Sequence, residues 1–208
     1  QYKDQTLATL KELLLEDEFR TRRDIGMTLQ AYLRDSLDDL QALIEWAKER
    51  GTPLTLRLVK GAYWDQETIK AVQKDWEQPV FNDKEATDAN YEAMTRLLLE
   101  NHEHLYAAIG SHNVRSQALA IAIAESLHIP RRRFECQVLY GMADKLAKAI
   151  SDRGYRVRIY CPYGELIPGM SYLIRRLLEN TANSSFLRQN LEERPMEELL
   201  AEPVMERI

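Results

Sequence analysis

Strand-like and helix-like segments alternate along most of the chain, and this alternation restricts the fold more than any other feature of the sequence. Apolar runs typical of buried strands lie at 25–33, 54–61, 105–111, 134–140 and 157–162. Helical spacing of apolar residues predicts helices over 4–19, 36–50, 65–76, 84–100, 116–127, 143–150 and 170–179. Alternation of this kind predicts a sheet of parallel strands covered by helices.

Two architectures fit that order, namely an open doubly wound sheet and a (β/α)8 TIM-type barrel. The open sheet usually carries a glycine-rich phosphate turn, yet none of the 8 glycines falls in a GxGxxG or P-loop pattern. We therefore predict the α/β barrel. Eight strands take about 250 residues in that fold, so a chain of 208 residues with five strands is expected to be an incomplete barrel without its first three strands. Gln1 in place of Met also indicates a piece of a longer protein.

Composition excludes several classes of function. With 28 Lys and Arg against 33 Asp and Glu, the net charge of -5 argues against nucleic-acid binding. The longest apolar run, 118–124, is far shorter than the roughly 18 residues that span a bilayer, and no signal peptide is present, so we expect a cytoplasmic protein. Cys136 and Cys161 are predicted to be buried thiols, and neither they nor His102-Glu103-His104 have the spacing of a metal site.

Polar side chains stand at or just past the end of each predicted strand. The barrel fold places functional residues at the carboxyl ends of several different strands. His112 with Asn113 would contact a cofactor there, or His112 would be an ordinary structural histidine. The residues at these strand ends are Gln30, Lys60, His112, Asn113, Gln137 and Tyr160.

The segment RLVKGAYWD at 57–65 is the strongest local signal. Strand alternation puts Arg57 and Lys60 on different faces and points Arg57 inward, where an arginine is costly unless it is paired or meets an anionic ligand. The alternative is an outward Arg57 that caps a neighbouring helix. Gly61 would permit close approach of a ligand, and Tyr63 and Trp64 offer flat apolar surfaces for a ring.

The helix SYLIRRLLEN at 171–180 carries the second signal. Tyr172 and Glu179 flank Arg175 and Arg176 at helical spacing. Paired guanidinium groups suit bidentate capture of a carboxylate or a phosphate. The alternative is a surface ion pair with Glu179, which would contribute little stability.

These motifs, together with SHN at 111–113, QVLYGM at 137–142, RIY at 158–160 and YLIRRLLENTANSSF at 172–186, resemble the proline dehydrogenase barrel of the bifunctional bacterial proline utilisation A family. The resemblance runs from Gly26 to Phe186. It implies that residues 1–186 are the C-terminal part of the barrel, with its last five strands. It also implies that the acidic residues 187–208 form a tail or linker toward a following aldehyde dehydrogenase domain.

The resemblance implies FAD-dependent oxidation of L-proline to pyrroline-5-carboxylate, the entry to proline catabolism toward glutamate. Hydride transfer to flavin N5 would be followed by electron transfer to a quinone, with the parent protein at the inner face of a bacterial membrane. Arg57 would lie near flavin N5, and Arg175 and Arg176 would clamp the substrate carboxylate. The ring of proline would be enclosed by Tyr63, Leu139, Tyr160 and Tyr172. FAD would be lined by Gln30, Arg57, Lys60, Gly61, Trp64, His112, Asn113, Gln137 and Glu179.

One departure and two alternatives accompany this resemblance. The family also uses a lysine and an aspartate from earlier strands, which this sequence does not contain. The first alternative is a barrel enzyme without flavin that binds an anionic substrate through Arg175 and Arg176. The second is a fragment without catalytic activity that packs against a partner domain.

Overall fold

The computed structural model describes residues 2–165, 167, 169–172, 174, 197 and 200–203. Its elements follow the predicted order, including two helices between the second and third strands. Of the predicted last helix, residues 170–172 and 174 are described and helical, while Arg175, Arg176 and Glu179 lie outside the described residues. The elements are α1 (Lys3–Leu15), β1 (Gly26–Gln30), α2 (Ser36–Arg50), β2 (Leu54–Val59), α3 (Trp64–Lys74), α4 (Lys84–Glu100), β3 (Leu105–Gly110), α5 (Val114–Ser126), β4 (Phe134–Leu139), α6 (Asp144–Asp152) and β5 (Val157–Tyr160).

The five strands form one parallel sheet in the order β1-β2-β3-β4-β5, which confirms the predicted parallel arrangement. Each strand pairs with the next one along the chain, so the described sheet contains no reversal of strand order such as a doubly wound fold requires. Connections between parallel strands are right-handed. A sheet that grows in one direction therefore places its helices on the same face.

Alternation along each strand separates that helix-covered face from an opposite, inner face. On β2, Leu54, Leu56 and Leu58 are fully buried against the helices, whereas Thr55, Arg57 and Val59 are only half-buried. The same core includes alternate residues of β1, β3 and β4 and the apolar stripes of α2, α4 and α5. The polar side chains thus lie on the inner face, at the alternate strand positions that point away from the helices.

Polar contacts fix the helix positions at the carboxyl end of the sheet. Asp83 caps α4 by accepting a hydrogen bond from the Ala86 backbone N–H at 2.6 Å. Two turns beyond Asp83, buried Asn90 donates to the Ala31 carbonyl at 2.7 Å and to Ser36 Oγ at 2.9 Å. These bonds tie α4 to the loop after β1, which borders the inner face.

Among the described residues, none of the helices combines the length and the hydrophobicity that a membrane span requires.

The two cysteines differ in exposure, so the prediction that both are buried is wrong for Cys161. Cys136 alternates onto the helix-covered face of β4 and is fully buried, and burial raises the pKa of its thiol to about 12. Cys161 follows the last residue of β5 and is exposed, because the strand ends at Tyr160, two residues earlier than predicted.

This difference predicts selective labelling. Under native conditions we expect a thiol reagent such as iodoacetamide to modify Cys161 within minutes and Cys136 only after unfolding, because the thiolate is the reactive form. Mass spectrometry of peptides from the native and the denatured chain measures this, with Cys161→Ser as the control that removes native labelling. Rapid native labelling of Cys136 would contradict the buried position.

Candidate active site

A cleft of about 370 Å³ opens on the inner face at the carboxyl ends of β1 to β4. Its volume lies in the range of small-molecule sites. Most of the strand-end residues that the sequence singled out line this cleft, although they are far apart in the chain. Those that line it are Gln30, Arg57, Lys60, Gly61, Tyr63, His112, Gln137 and Leu139.

Arg57 lies on the inner face of β2, the orientation that strand alternation predicted. Its Nε donates to the side-chain oxygen of Gln137 on β4 at 2.7 Å, and its guanidinium carbon stands 4.7 Å from the ring centre of Tyr160 on β5. The alternative, an outward Arg57 that caps a helix, is therefore wrong. The Tyr160 contact is a cation–π interaction that holds the guanidinium at the strand ends.

The strand between Arg57 and Gln137 leaves room for this contact. The inner-face positions of β3 beside them are Ala108, which pairs with Arg57, and Gly110, which pairs with Gln137. A Cβ atom on Gly110 would come within 3.0 Å of Val59 Cγ1 and 3.7 Å of Arg57 Nε. Small residues on β3 thus allow the arginine to reach across one strand.

The contact between Arg57 and Tyr160 also requires curvature. The two residues are three strands apart, which in a flat sheet would separate their backbones by about 14 Å. Their side chains nevertheless meet at 4.7 Å. The sheet is therefore bent toward its inner face.

Lys60 follows β2 directly and points to α4. Its Nζ lies 2.6 Å from a carboxylate oxygen of Asp88 and 5.5 Å from the ring centre of Tyr91, while Lys84 binds the other oxygen of Asp88 at 2.5 Å. Burial lowers the pKa of Lys60. Burial alone would raise the pKa of Asp88, but the charges of Lys60 and Lys84 outweigh it and hold that pKa below its ordinary value of 3.8.

Asp88 is therefore expected to link stability to pH. A carboxyl group whose pKa is lower in the folded than in the unfolded state stabilises the fold above the unfolded pKa, and this contribution disappears as the pH falls through the folded value. Asp88→Asn is expected to lower the free energy of unfolding by about 2 kcal/mol at pH 7, because Lys60 loses its partner. Its denaturation curves should also change less with pH below about 4.

The matched control is Asp152→Asn on α6. Asp152 forms an exposed ion pair with Lys148 at 2.8 Å, and we expect less than about 0.5 kcal/mol from its removal. Urea unfolding of both variants at several pH values makes the comparison. Equal losses in the two variants would contradict the structural role of Asp88.

His112 links the ends of β3 and β4. Its Nε2 accepts a hydrogen bond from the Leu139 backbone N–H at 2.9 Å. Because a backbone N–H only donates, Nε2 carries no proton in this arrangement. The next residue, Asn113, caps α5 by accepting from the Ser116 N–H at 3.2 Å. His112 thus fixes Leu139 at the cleft, and Asn113 directs the amino end of α5 toward the same end of the sheet.

The loop after β2 brings backbone into the cleft. Gly61 has φ +128, and a Cβ there would lie 2.4 Å from the Tyr32 ring. Trp64 opens α3 and donates from Nε1 to the Phe81 carbonyl at 2.7 Å. Trp64, Asn113 and Tyr160 flank the cleft and do not line it. Tyr172 is described and half-buried.

Two residues that the sequence analysis did not single out complete the polar contacts. Asp88 lies one turn after the start of α4. In the sequence it cannot be distinguished from an acidic residue on the exposed surface of a helix. Glu135 lies in the buried run FECQVL of β4 and accepts from Arg158 Nε at 2.6 Å and from Gln137 Nε2 at 2.6 Å. A charged residue inside a buried strand was the signal that could have revealed Glu135.

The fold and the cleft define an α/β protein with a cleft at the carboxyl ends of parallel strands, the end at which barrels of this class bind their ligands. The sequence profile of the proline dehydrogenase family matches residues 1–189. The chain therefore belongs to the proline dehydrogenase family.

Several relatives support this assignment. The bifunctional protein PutA of Escherichia coli (strain K12) is 35% identical over 208 residues, covering 96% of this chain and 16% of that protein. Proline dehydrogenase 1 of Bacillus subtilis (strain 168) is 30% identical over 188 residues, covering 90% of this chain and 54% of that protein. The chain thus spans only 16% to 54% of the length of these two relatives.

A solved structure resembles the whole arrangement. Proline utilization A from Bdellovibrio bacteriovorus, in a crystal structure of the protein inactivated by N-propargylglycine, matches with a TM-score of 0.95 and 51% sequence identity. The match covers 97% of this chain and 21% of that one.

Proposed function

We propose that this chain is the part of an FAD-dependent proline dehydrogenase that carries Arg57 and the strand-end cleft. In the proposed reaction, L-proline loses two electrons and two protons as its ring C–N single bond becomes the C=N bond of pyrroline-5-carboxylate. The observation that carries the proposal is Arg57, held by Gln137 and Tyr160 at the strand ends of a chain that belongs to this family.

The residues present fit a flavin. Gly110 leaves the inner face of β3 without a side chain beside Arg57, and Gly61 brings backbone to the edge of the cleft. Arg57 supplies positive charge for an anionic cofactor, Lys60 lines the cleft while paired with Asp88, and the amino end of α5 supplies backbone donors suited to phosphate. Bound FAD would supply the two-electron acceptor. The residues proposed to hold it are Gln30, Arg57, Lys60, Gly61, Trp64, His112, Asn113, Gln137 and Glu179.

The proposed substrate site lies on the β4 and β5 side of Arg57. Leu139, Tyr160, Tyr63 and Tyr172 would enclose the pyrrolidine ring and exclude water. Arg175 and Arg176 would bind the carboxylate in bidentate fashion, since two planar guanidinium groups fit that anion. The substrate carboxylate would thus be held while Arg57 faces the cofactor.

We further propose that the five strands are the last five of an eight-stranded barrel. The consecutive strand order, the single helix-covered face and the bend toward the inner face support a segment of a closed barrel. Its first three strands, a following aldehyde dehydrogenase domain and electron transfer to a quinone at the inner face of a membrane belong to the proposed whole protein.

Product formation tests the function. With FAD, L-proline and a soluble quinone, the whole protein that contains this chain is expected to form pyrroline-5-carboxylate, detected by its coloured adduct with o-aminobenzaldehyde. D-proline is the control substrate. N-propargylglycine, which inactivates the Bdellovibrio bacteriovorus protein, is expected to abolish product formation, and L-proline should protect against it. Binding of other carboxylates without any flavin dependence would instead favour a barrel enzyme of another kind.

A further inference from the structure

Glu135 is a buried carboxylate on the inner face of β4, beside the proposed cofactor site. Its side chain is 2% exposed. One oxygen accepts from Gln137 Nε2 and Arg158 Nε at 2.6 Å each, and the other accepts from Arg158 Nη2 at 2.9 Å and from the Tyr106 hydroxyl at 3.4 Å. Burial alone would raise the pKa of Glu135, but the bonds from Arg158 and Gln137 outweigh burial and lower it. Glu135 is therefore ionised at neutral pH.

An ionised Glu135 determines which way the amide of Gln137 faces. A carboxylate only accepts hydrogen bonds and a guanidinium only donates them. The amide NH2 of Gln137 must therefore face Glu135, and its oxygen must face Arg57, as the distances of 2.6 Å and 2.7 Å show. A reversed amide would set oxygen against the carboxylate and NH2 against the guanidinium.

We propose that Glu135 is a positioning residue that acts through Gln137 to hold the Arg57 guanidinium at the cofactor site. Glu135 does not touch Arg57, and the strand between β2 and β4 carries only Ala108 and Gly110 on the inner face there. Gln137 is thus the described side chain that connects the two charges. The inference rests on the proposed function only in taking Arg57 to face the flavin.

The first test needs no flavin. Urea unfolding midpoints are measured for Glu135→Gln, Arg57→Met and the double variant, and then for the same set in a Gln137→Leu chain. A glutamine at 135 has nearly the same size but offers either an oxygen or an NH2, so the amide of Gln137 is no longer fixed. We expect the two single shifts to be non-additive when Gln137 is present and additive when Leu replaces it.

Two results would overturn the proposal. Additive shifts in the presence of Gln137 would mean that Glu135 does not act on Arg57. Equal non-additivity in the Gln137→Leu chain would mean that Glu135 and Arg57 attract each other directly, without the amide of Gln137 between them. If Glu135→Gln fails to fold because Arg158 loses its partner, the same set is measured in an Arg158→Gln chain, which removes that charge as well.

The second test uses the flavin-loaded whole protein. Glu135→Gln is expected to lower kcat for proline oxidation about 10-fold, with KM for proline changed less than about 2-fold. It should also shift the flavin potential by about 30 mV to more negative values, the equivalent of a tenfold change in a two-electron equilibrium. Glu125→Gln, which removes a carboxylate bound to the Tyr155 hydroxyl at 2.7 Å, is the control and should change neither quantity.

The two tests separate the inference from the proposed function. An unchanged kcat and potential in Glu135→Gln, with a wild-type protein that is reduced by proline, would overturn the positioning role. A wild-type protein that binds no FAD would overturn the proposed function. The unfolding test would still show whether Glu135 acts on Arg57 through Gln137.

Discussion

Replacing Arg57 with methionine is expected to slow the reduction of bound flavin by L-proline about 100-fold or more, the usual loss when one preorganised donor is removed from a reaction site. Methionine fills similar space without charge. The guanidinium reaches the strand ends across Ala108 and Gly110 and is held there by Gln137 at 2.7 Å and Tyr160 at 4.7 Å. No other described side chain replaces its charge at that point of the cleft.

Stopped-flow absorbance under anaerobic conditions measures the rate of flavin reduction by L-proline directly. Arg57→Lys keeps a positive charge but loses the planar group that binds Gln137 and stacks on Tyr160, so we expect an intermediate rate. Arg22→Met, which removes an exposed arginine paired with Asp24 at 2.6 Å, is the control. A rate within a factor of two of wild type for Arg57→Met would contradict the proposed role.

Replacing Gly61 with alanine is expected to lower the free energy of unfolding by about 3 kcal/mol. One part is strain, because φ +128 is a conformation that residues with a Cβ rarely adopt. The other part is overlap, because the new Cβ would lie 2.4 Å from the ring of Tyr32, which is 2% exposed and cannot move into solvent. For a chain of this size the melting temperature should fall by about 10 °C.

The control for this substitution is Gly51→Ala at the end of α2. Gly51 also has a positive φ, +71, but a Cβ there meets nothing within 4 Å. We expect a loss of about 1 kcal/mol, from conformation alone. Circular dichroism records the thermal unfolding of the Gly61→Ala and Gly51→Ala variants and compares their melting temperatures. Equal losses would show that the close approach of Gly61 to Tyr32 does not exist.

The fold was largely predictable because it depends on local periodicity. Alternation in LTLRLV predicted that Arg57 points inward, and the structure confirms this, with Leu56 and Leu58 buried on the opposite face of the strand. Boundaries were less predictable. The run 25–33 ends as a strand at Gln30, because Tyr32 and Leu33 turn away to pack with Val80 in a second apolar cluster.

The candidate site was predictable in its residue types but not in its contacts. The partner of Arg57 lies 80 residues away at Gln137, and that of Lys60 lies 28 residues away at Asp88. Such pairs depend on strand register and on helix placement, which no local pattern encodes. Gly110 could not be predicted for the same reason, because its role is to leave space for the side chain of Arg57.

Flavin binding and reduction test the central claim most directly. The purified whole protein is mixed with FAD, excess flavin is removed by gel filtration, and the visible spectrum is recorded anaerobically before and after addition of L-proline. We expect retained flavin whose visible absorbance is lost with L-proline and persists with D-proline. Absence of retained flavin, or retained flavin that L-proline does not reduce, would contradict the assignment of the inner-face cleft as a proline dehydrogenase site.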